Sequence, residues 1–373
     1  MKVITGMRRS GKTSIMHLLA QRSDLYDFVC FIDKEDYSFD HVRDYHHLMK
    51  EVEELVPPGK KSTLLLIDEV QEIEHWEKAV ISLIKKPELD IVVSGSNAGL
   101  LSRELASLLT GRCIQIEINT LSLPECMEFS GNETDFQEYL RFGGLPGLHQ
   151  FNRDPDVFVR YIQSVFDSIL LRDIVQRYSV RNVQLLKRIC AFVFDNIGNV
   201  LSAKRIVDYF KSQRISMGLE TVLNYLSYME DAYLIHRVGR YDIKGKKHLD
   251  LGAKYFVNDL GVRNALIGYR EADIAGLLEN IVFLELHRRG YRVSIGYAGQ
   301  YEVDFVVEKS GDLEYFQVAY LLASPETIKR EFHSLEIIKD NYPKTVISMD
   351  NMKLSRNGIR HLNLIDFLMN SET

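Results

Sequence analysis

The front third of the chain alternates short apolar runs with stretches of helical spacing. Lys2 to Thr5, Phe28 to Asp33, Ser62 to Glu69, Asp90 to Asn97 and Cys113 to Ile118 are the runs. A continuous apolar run such as Leu64 to Ile67 is what a parallel strand covered on both faces looks like. Between the runs, Ser14 to Ala20, His41 to Leu55, Trp76 to Ile84 and Leu100 to Leu109 have helical periodicity. Strand and helix in alternation predict an α/β domain: a doubly wound, mostly parallel sheet. The runs at residues 62–69 and 90–97 both end in polar residues, Asp68-Glu69 and Ser96-Asn97, and open sheets of this kind bind ligands at such strand ends.

The pattern then changes. Leu123 to Phe129 and Phe136 to Phe142 read as short helices, and Asp156 to Tyr178 as a long one carrying Arg172-Asp173. Leu185 to Ile197, Ser202 to Gln213 and Gly218 to Glu230 are amphipathic helices, the last with Val222, Leu223, Leu226 and Met229 as its apolar face. Strands are expected over Tyr233 to Arg240 and Lys254 to Val257, which completes the element order of a winged helix-turn-helix. The last stretch predicts a helix over Glu279 to Arg289 and strands over Arg292 to Tyr297, Tyr301 to Val307 and Glu314 to Ala319.

Composition narrows the function classes. The 373 residues carry a net charge of −6, with 46% hydrophobic and 26% charged residues, an ordinary globular balance. Nothing in that balance favours general polyanion binding, so nucleic-acid contact would need a local patch. Cys30, Cys113, Cys126 and Cys190 are scattered without a C-x-x-C pair, which fits a reducing compartment rather than a zinc site or disulfide framework. With no signal peptide or long apolar run, the expected location is cytoplasmic.

The chemistry gathers at Gly6-Met7-Arg8-Arg9-Ser10-Gly11-Lys12-Thr13, which fits the phosphate-loop pattern G-x-x-x-x-G-K-[ST]. Its glycines let successive backbone N–H groups turn inward toward a triphosphate. The N-terminus of the following helix, from Ser14, adds partial positive charge; Lys12 reaches the β/γ-phosphates and Thr13 can ligate Mg²⁺. A glycine turn with an incidental Lys-Thr is the plainer reading, and the strand before and helix after speak against it. Asp68 can hold Mg²⁺ through water, while Glu69 can polarise the water that attacks the γ-phosphate. Ser96 or Asn97 can hydrogen-bond the γ-phosphate or that water; a helix N-cap is the other role open to Asn97.

Together with Gly111-Arg112 before the fifth strand, these motifs resemble an AAA+ ATPase core. The longer strings Ile67-Asp68-Glu69-Val70-Gln71-Glu72-Ile73, Trp76-Glu77 and Leu109-Thr110-Gly111-Arg112 resemble a large prokaryotic group of AAA+ ATPases whose C-terminal half is a domain of unknown function. The resemblance implies Walker A at 6–13, Walker B at Asp68 and Glu69, a sensor at Ser96 or Asn97 and an arginine finger at Arg112. AAA+ proteins usually carry a segment before the first strand that helps to hold adenine, whereas this chain starts inside that strand. Gly144-Leu145-Pro146 resembles the lid turn of signal-transducing ATPases, where the proline lies near the base; a plain tight turn is the alternative.

In the C-terminal half, Glu279, Glu302-Val303-Asp304-Phe305 and Gln317-Val318-Ala319 resemble the core of PD-(D/E)xK nucleases, with alanine where the lysine belongs. The resemblance implies a degenerate nuclease-like scaffold that does not cut. The helix that would read DNA in the winged helix offers Glu220, Asn224 and Tyr225 and no basic residue, although the tip Lys244-Gly245-Lys246-Lys247-His248 is basic. The expected organisation is an AAA+ type core at 1–121, a helical lid and long helix at 122–184, a winged helix at 185–270 and a nuclease-like α/β domain at 271–373. The expected activity is Mg²⁺-dependent ATP hydrolysis driving a switch on a protein partner, in a chain that can oligomerise. A DNA-associated ATPase of recombination, repair or defence is the alternative.

Overall fold

A computed structural model describes residues 1–21, 23–101 and 111–370. They form two compact units, one of residues 1–119 with 231–233, the other of the remainder from Thr120 onward.

The first unit is built on a five-stranded sheet: β1 (Lys2–Thr5), β2 (Phe28–Asp33), β3 (Thr63–Asp68), β4 (Leu89–Gly95) and β5 (Ile114–Glu117). The spatial order is β2-β3-β4-β1-β5, and every neighbouring pair is parallel, as the alternating pattern predicted. Helices α1 (Lys12–Ala20), α2 (Tyr45–Leu55) and α3 (Trp76–Leu83) cover it. Because side chains alternate along a strand, Leu65 and Ile67 of β3 enter one core with Trp76, Val80 and Leu83 of α3. Leu64 and Leu66 enter the opposite core with Met16 of α1. Two covered faces are why β3 is apolar without a break from Leu64 to Ile67. Helix α2 begins at Tyr45 rather than at the expected His41, because the Asp44 carboxylate accepts the N–H groups of His46 and His47 and starts the helix there. The helix expected over Leu100 to Leu109 lies outside the described residues beyond Leu101, as does Thr110 of the Thr110-Gly111-Arg112 string.

The second unit begins with α4 (Leu123–Phe129), closed by a Ser122/Glu125 capping box, and α5 (Phe136–Phe142). The long helix expected to Tyr178 is α6 (Pro155–Ser168) followed by a π-helical stretch over Ile169–Gln176. Next come α7 (Val183–Asp195), β6 (Val200–Leu201), α8 (Ala203–Ser212) and α9 (Leu219–Asp231). Tyr225 of α9 is buried and Leu223 is half exposed, the reverse of the faces assigned from spacing; the apolar stripe is Val222, Tyr225, Leu226 and Met229. Strands β7 (Ile235–Asp242), β8 (Lys247–Val257), β9 (Arg292–Ala298), β10 (Tyr301–Lys309), β11 (Asp312–Val318), β12 (Lys344–Ser348) and β13 (Arg360–Asn363) follow, with α10 (Leu260–Ile267) and α11 (Ile274–Arg288) between β8 and β9. Helices α12 (Pro325–Glu336) and α13 (Leu364–Met369) complete the unit. The strands join in one eight-stranded mixed sheet, order β13-β12-β11-β10-β9-β7-β8-β6. The strands expected of the winged helix and those expected of the nuclease-like domain are therefore hydrogen-bonded neighbours, through the parallel pair β7–β9. Helix α11 is buried along most of its length, and Asn280 there bonds both the N–H and the carbonyl of Val257 on β8.

Candidate nucleotide site

The loop between β1 and α1 takes conformations that fix its glycines. Gly6 has φ +145°, and a Cβ there would collide with the carbonyl of Ile118. Gly11 has φ +102° and caps α1, and having no side chain it puts no oxygen of its own over the first-turn N–H groups. Arg9 also adopts positive φ and is exposed, as is Ser14. Lys12 is buried, and its ammonium donates to the carbonyls of Gly6 at 3.1 Å and Met7 at 3.0 Å, so the cation hangs inside its own loop. Ser10 is buried with a hydroxyl that meets no protein partner among the described residues, and Thr13 is half-buried on the first turn. Arg8 is buried against Glu35, 3.1 Å away.

Across the sheet, β3 delivers Asp68 and Glu69, both buried, to the same strand-end edge. Ser94 on the adjacent strand donates its hydroxyl to Asp68 Oδ1, while Asp68 Oδ2 takes no hydrogen bond from the described residues. A buried carboxylate oxygen without a donor is costly unless a cation or water meets it, and with the Thr13 hydroxyl it is the hard-oxygen chemistry that suits Mg²⁺. Glu69 sits at φ +50°, an uncommon conformation for a non-glycine residue. Its Oε2 accepts hydrogen bonds from Gln71 Nε2 and, at 3.3 Å, from the Ser96 hydroxyl. Burial raises the Glu69 carboxyl above its ordinary range; the Lys12 and Arg8 cations pull it back and Asp68 pushes it up. Asp33, at the end of β2 beside Asp68, is likewise raised, chiefly by burial.

Residues 1–127 match the family described as an AAA domain, and residues 133–273 match a domain of unknown function, DUF8612. A protein of Haemophilus influenzae, described as uncharacterised, is 35% identical over 99% of this chain and 94% of its own length. The chain belongs to this AAA-domain family. An uncharacterised protein of Methanocaldococcus jannaschii is 30% identical over 95% of this chain and 80% of that one. Among solved structures, a Walker-type ATPase of Pyrococcus abyssi superposes with a TM-score of 0.49 at 15% identity, over 71% of this chain and 90% of that one.

Within the AAA domain, the structure gathers Lys12, Asp68, Glu69 and Ser96, with Gly6, Arg8, Arg9, Ser10, Gly11, Thr13 and Ser14 on the loop and first helical turn. Asn97 is buried and its Oδ1 accepts the N–H of Gly99 at 2.5 Å, the capping role. Arg112 is exposed on the turn before β5. Pro146 belongs to the second unit, where it opens a short 3-10 turn; the N–H of Gly144 just before it donates to Asp259 at 2.8 Å. Sequence reasoning missed Gln71 and Ser94. A serine inside the apolar run Ile91-Val92-Val93-Ser94 and an amide two residues after Glu69 were the available signals.

The second unit holds a separate acidic cluster. Lys254 of β8 is buried, with its ammonium 2.7 Å from Glu279 of α11, 2.6 Å from Glu302 and 3.8 Å from Asp304 of β10. The alanine at 319 is thus not the whole account: an ammonium reaches the two acids from a strand the motif does not include. Asp304 Oδ2 accepts the Val318 N–H at 2.8 Å. Gln317 is also engaged, donating to Glu331 at 3.2 Å and accepting from Ser334 at 3.1 Å.

Proposed function

We propose that the AAA domain binds ATP with Mg²⁺ and hydrolyses it, and that the cycle switches how the C-terminal half holds a protein partner. The observation that carries this reading is the buried Glu69 carboxylate, held beside Asp68 and within electrostatic reach of Lys12. In this reading the loop N–H groups and Lys12 bind the phosphates, and Thr13 and Asp68 hold the ion. When bound, Mg²⁺ draws charge from the β- and γ-phosphate oxygens. Glu69 accepts the proton of the attacking water, a task favoured by a carboxyl that burial raises above its ordinary range. Ser96 orients that carboxylate. Arg112, exposed, serves a neighbouring subunit as an arginine finger, so turnover per subunit rises with protein concentration.

Glu69→Gln tests the reading: it should retain bound ATP while slowing hydrolysis by ~10²-fold or more, the scale of losing a positioned base. Co-purification on this variant from the native cell would then capture the partner in the ATP state. Turnover unchanged in Glu69→Gln would sink the ATPase assignment. The exposed Lys244 and Lys246 on the β7–β8 hairpin support the second reading, a DNA-associated ATPase. Binding to duplex DNA that weakens steeply with salt, and is lost on changing both lysines to Ala, would favour it.

A further inference from the structure

Gln71 lies two residues beyond Glu69, on the 3-10 turn Val70–Glu72 that follows β3, and its amide is oriented by three neighbours. The Nε2 group donates to Glu69 Oε2 and is 3.4 Å from the Ser96 hydroxyl, which itself lies 3.3 Å from the same carboxylate oxygen. Carboxylate, hydroxyl and amide therefore close a small ring. The Oε1 atom points the other way: it is buried and accepts no hydrogen bond from the described residues. It rests against Gly95 at the end of β4, where a Cβ would collide with it. Gly95 is not at a positive φ, so backbone conformation does not demand glycine there; the room taken by Gln71 Oε1 and by the Leu100 side chain does.

We propose that Gln71 is a positioning residue for Glu69: its Nε2 fixes the carboxylate that accepts the proton of the attacking water. The proposal rests on the ATPase reading. A primary amide donates a hydrogen bond to the carboxylate without carrying charge. A glutamate at 71 would repel Glu69, and a lysine would neutralise it. In the step itself the water oxygen bonds to the γ-phosphorus, the β–γ bridging P–O bond breaks with its electron pair leaving on ADP, and Glu69 takes the water proton. Gln71 exchanges no proton.

The test is Gln71→Leu, which keeps bulk and removes both polar atoms. It should lower kcat by ~10- to 100-fold, the scale of losing a partner that orients a functional group, with MgATP affinity within about twofold of wild type. Gly95→Ala should lower kcat in the same direction and add little on top of Gln71→Leu, as coupled neighbours do. Unchanged kcat would overturn the proposal, as would a loss of kcat matched by an equal loss of affinity. If wild-type protein hydrolyses no ATP, the ATPase reading fails on its own. The contact with Glu69 is then read by ¹³C NMR of the glutamate carboxyls, with Glu69 assigned by its disappearance in Glu69→Gln. Its chemical shift should change in Gln71→Leu, and an unmoved signal overturns this contact too.

Discussion

Two carboxylate clusters in this chain solve the same electrostatic problem in opposite ways. At the end of β3, Asp68 and Glu69 are buried side by side, and Asp68 keeps one oxygen that no described protein group meets. In the second unit, Glu279, Glu302 and Asp304 converge on the ammonium of Lys254. The first cluster has unspent capacity for an external cation. The second carries its cation in its own sequence, and its acids spend their remaining lone pairs on groups such as the Val318 N–H. Clustered buried acids do not by themselves mark a metal site; what distinguishes them is whether the protein has already neutralised them.

The comparison breaks most visibly at Lys254. Removing one partner of a buried ion pair strands the others, at a cost of ~3–5 kcal/mol. Lys254→Met should therefore destabilise the protein by about that much in chemical denaturation, and adding Glu279→Gln should recover part of the loss. A Lys254→Met protein as stable as wild type would mean the ammonium is not what holds the cluster. Next in size is Lys12→Ala, which removes the cation of the phosphate loop. MgATP binding by calorimetry should weaken ~100-fold or more, and retained affinity would deny the loop its assigned role.

A smaller effect follows from pH. Burial raises the Glu279 carboxyl from 4.5 to about 8, against the opposing pull of Lys254, and raises Asp304 to about 6. Folded-state carboxyl pKa values above the unfolded ones mean the native protein holds more protons than the unfolded chain between those limits. Stability from this source is present in full below pH 4.5 and is lost as pH climbs through about 8. Glu279→Gln should flatten that slope in melts taken across the range. The smallest expected effect is none at all: single- and double-stranded DNA and RNA incubated with Mg²⁺ or Mn²⁺, with or without ATP, should stay intact. Cleavage that disappears in Asp304→Ala would overturn that expectation and give the second cluster an external cation after all.

The parallel sheet and the phosphate loop were legible in the residues because both are local. Leu64 to Ile67 needs only its own apolarity to declare two covered faces, and Gly6, Gly11, Lys12 and Thr13 declare themselves by spacing. What escaped depends on partners distant in sequence. Lys254 enters the acidic cluster because β8 and α11 pack together, and the room for Gln71 depends on Gly95, on a neighbouring strand. Tyr225 was misread for a subtler reason. Helical spacing located α9 but left its orientation open, and a tyrosine suits either a buried stripe or a wet face. The π-helical turn after Ser168 escaped because its apolar spacing over a few residues is close to that of an ordinary helix.

The eight-stranded sheet also bears on how the C-terminal half comes apart. Strand β9 pairs with β7 on one side and β10 on the other, although α10 and α11 intervene in sequence between β8 and β9. A fragment ending at residue 270 would keep β7 but strip it of β9, and the remaining chain would carry β9 with one edge bare. Such edges template aggregation. Expression fragments cut there should precipitate, and amide protons of β7 and β9 should exchange together, as parts of one cooperative block.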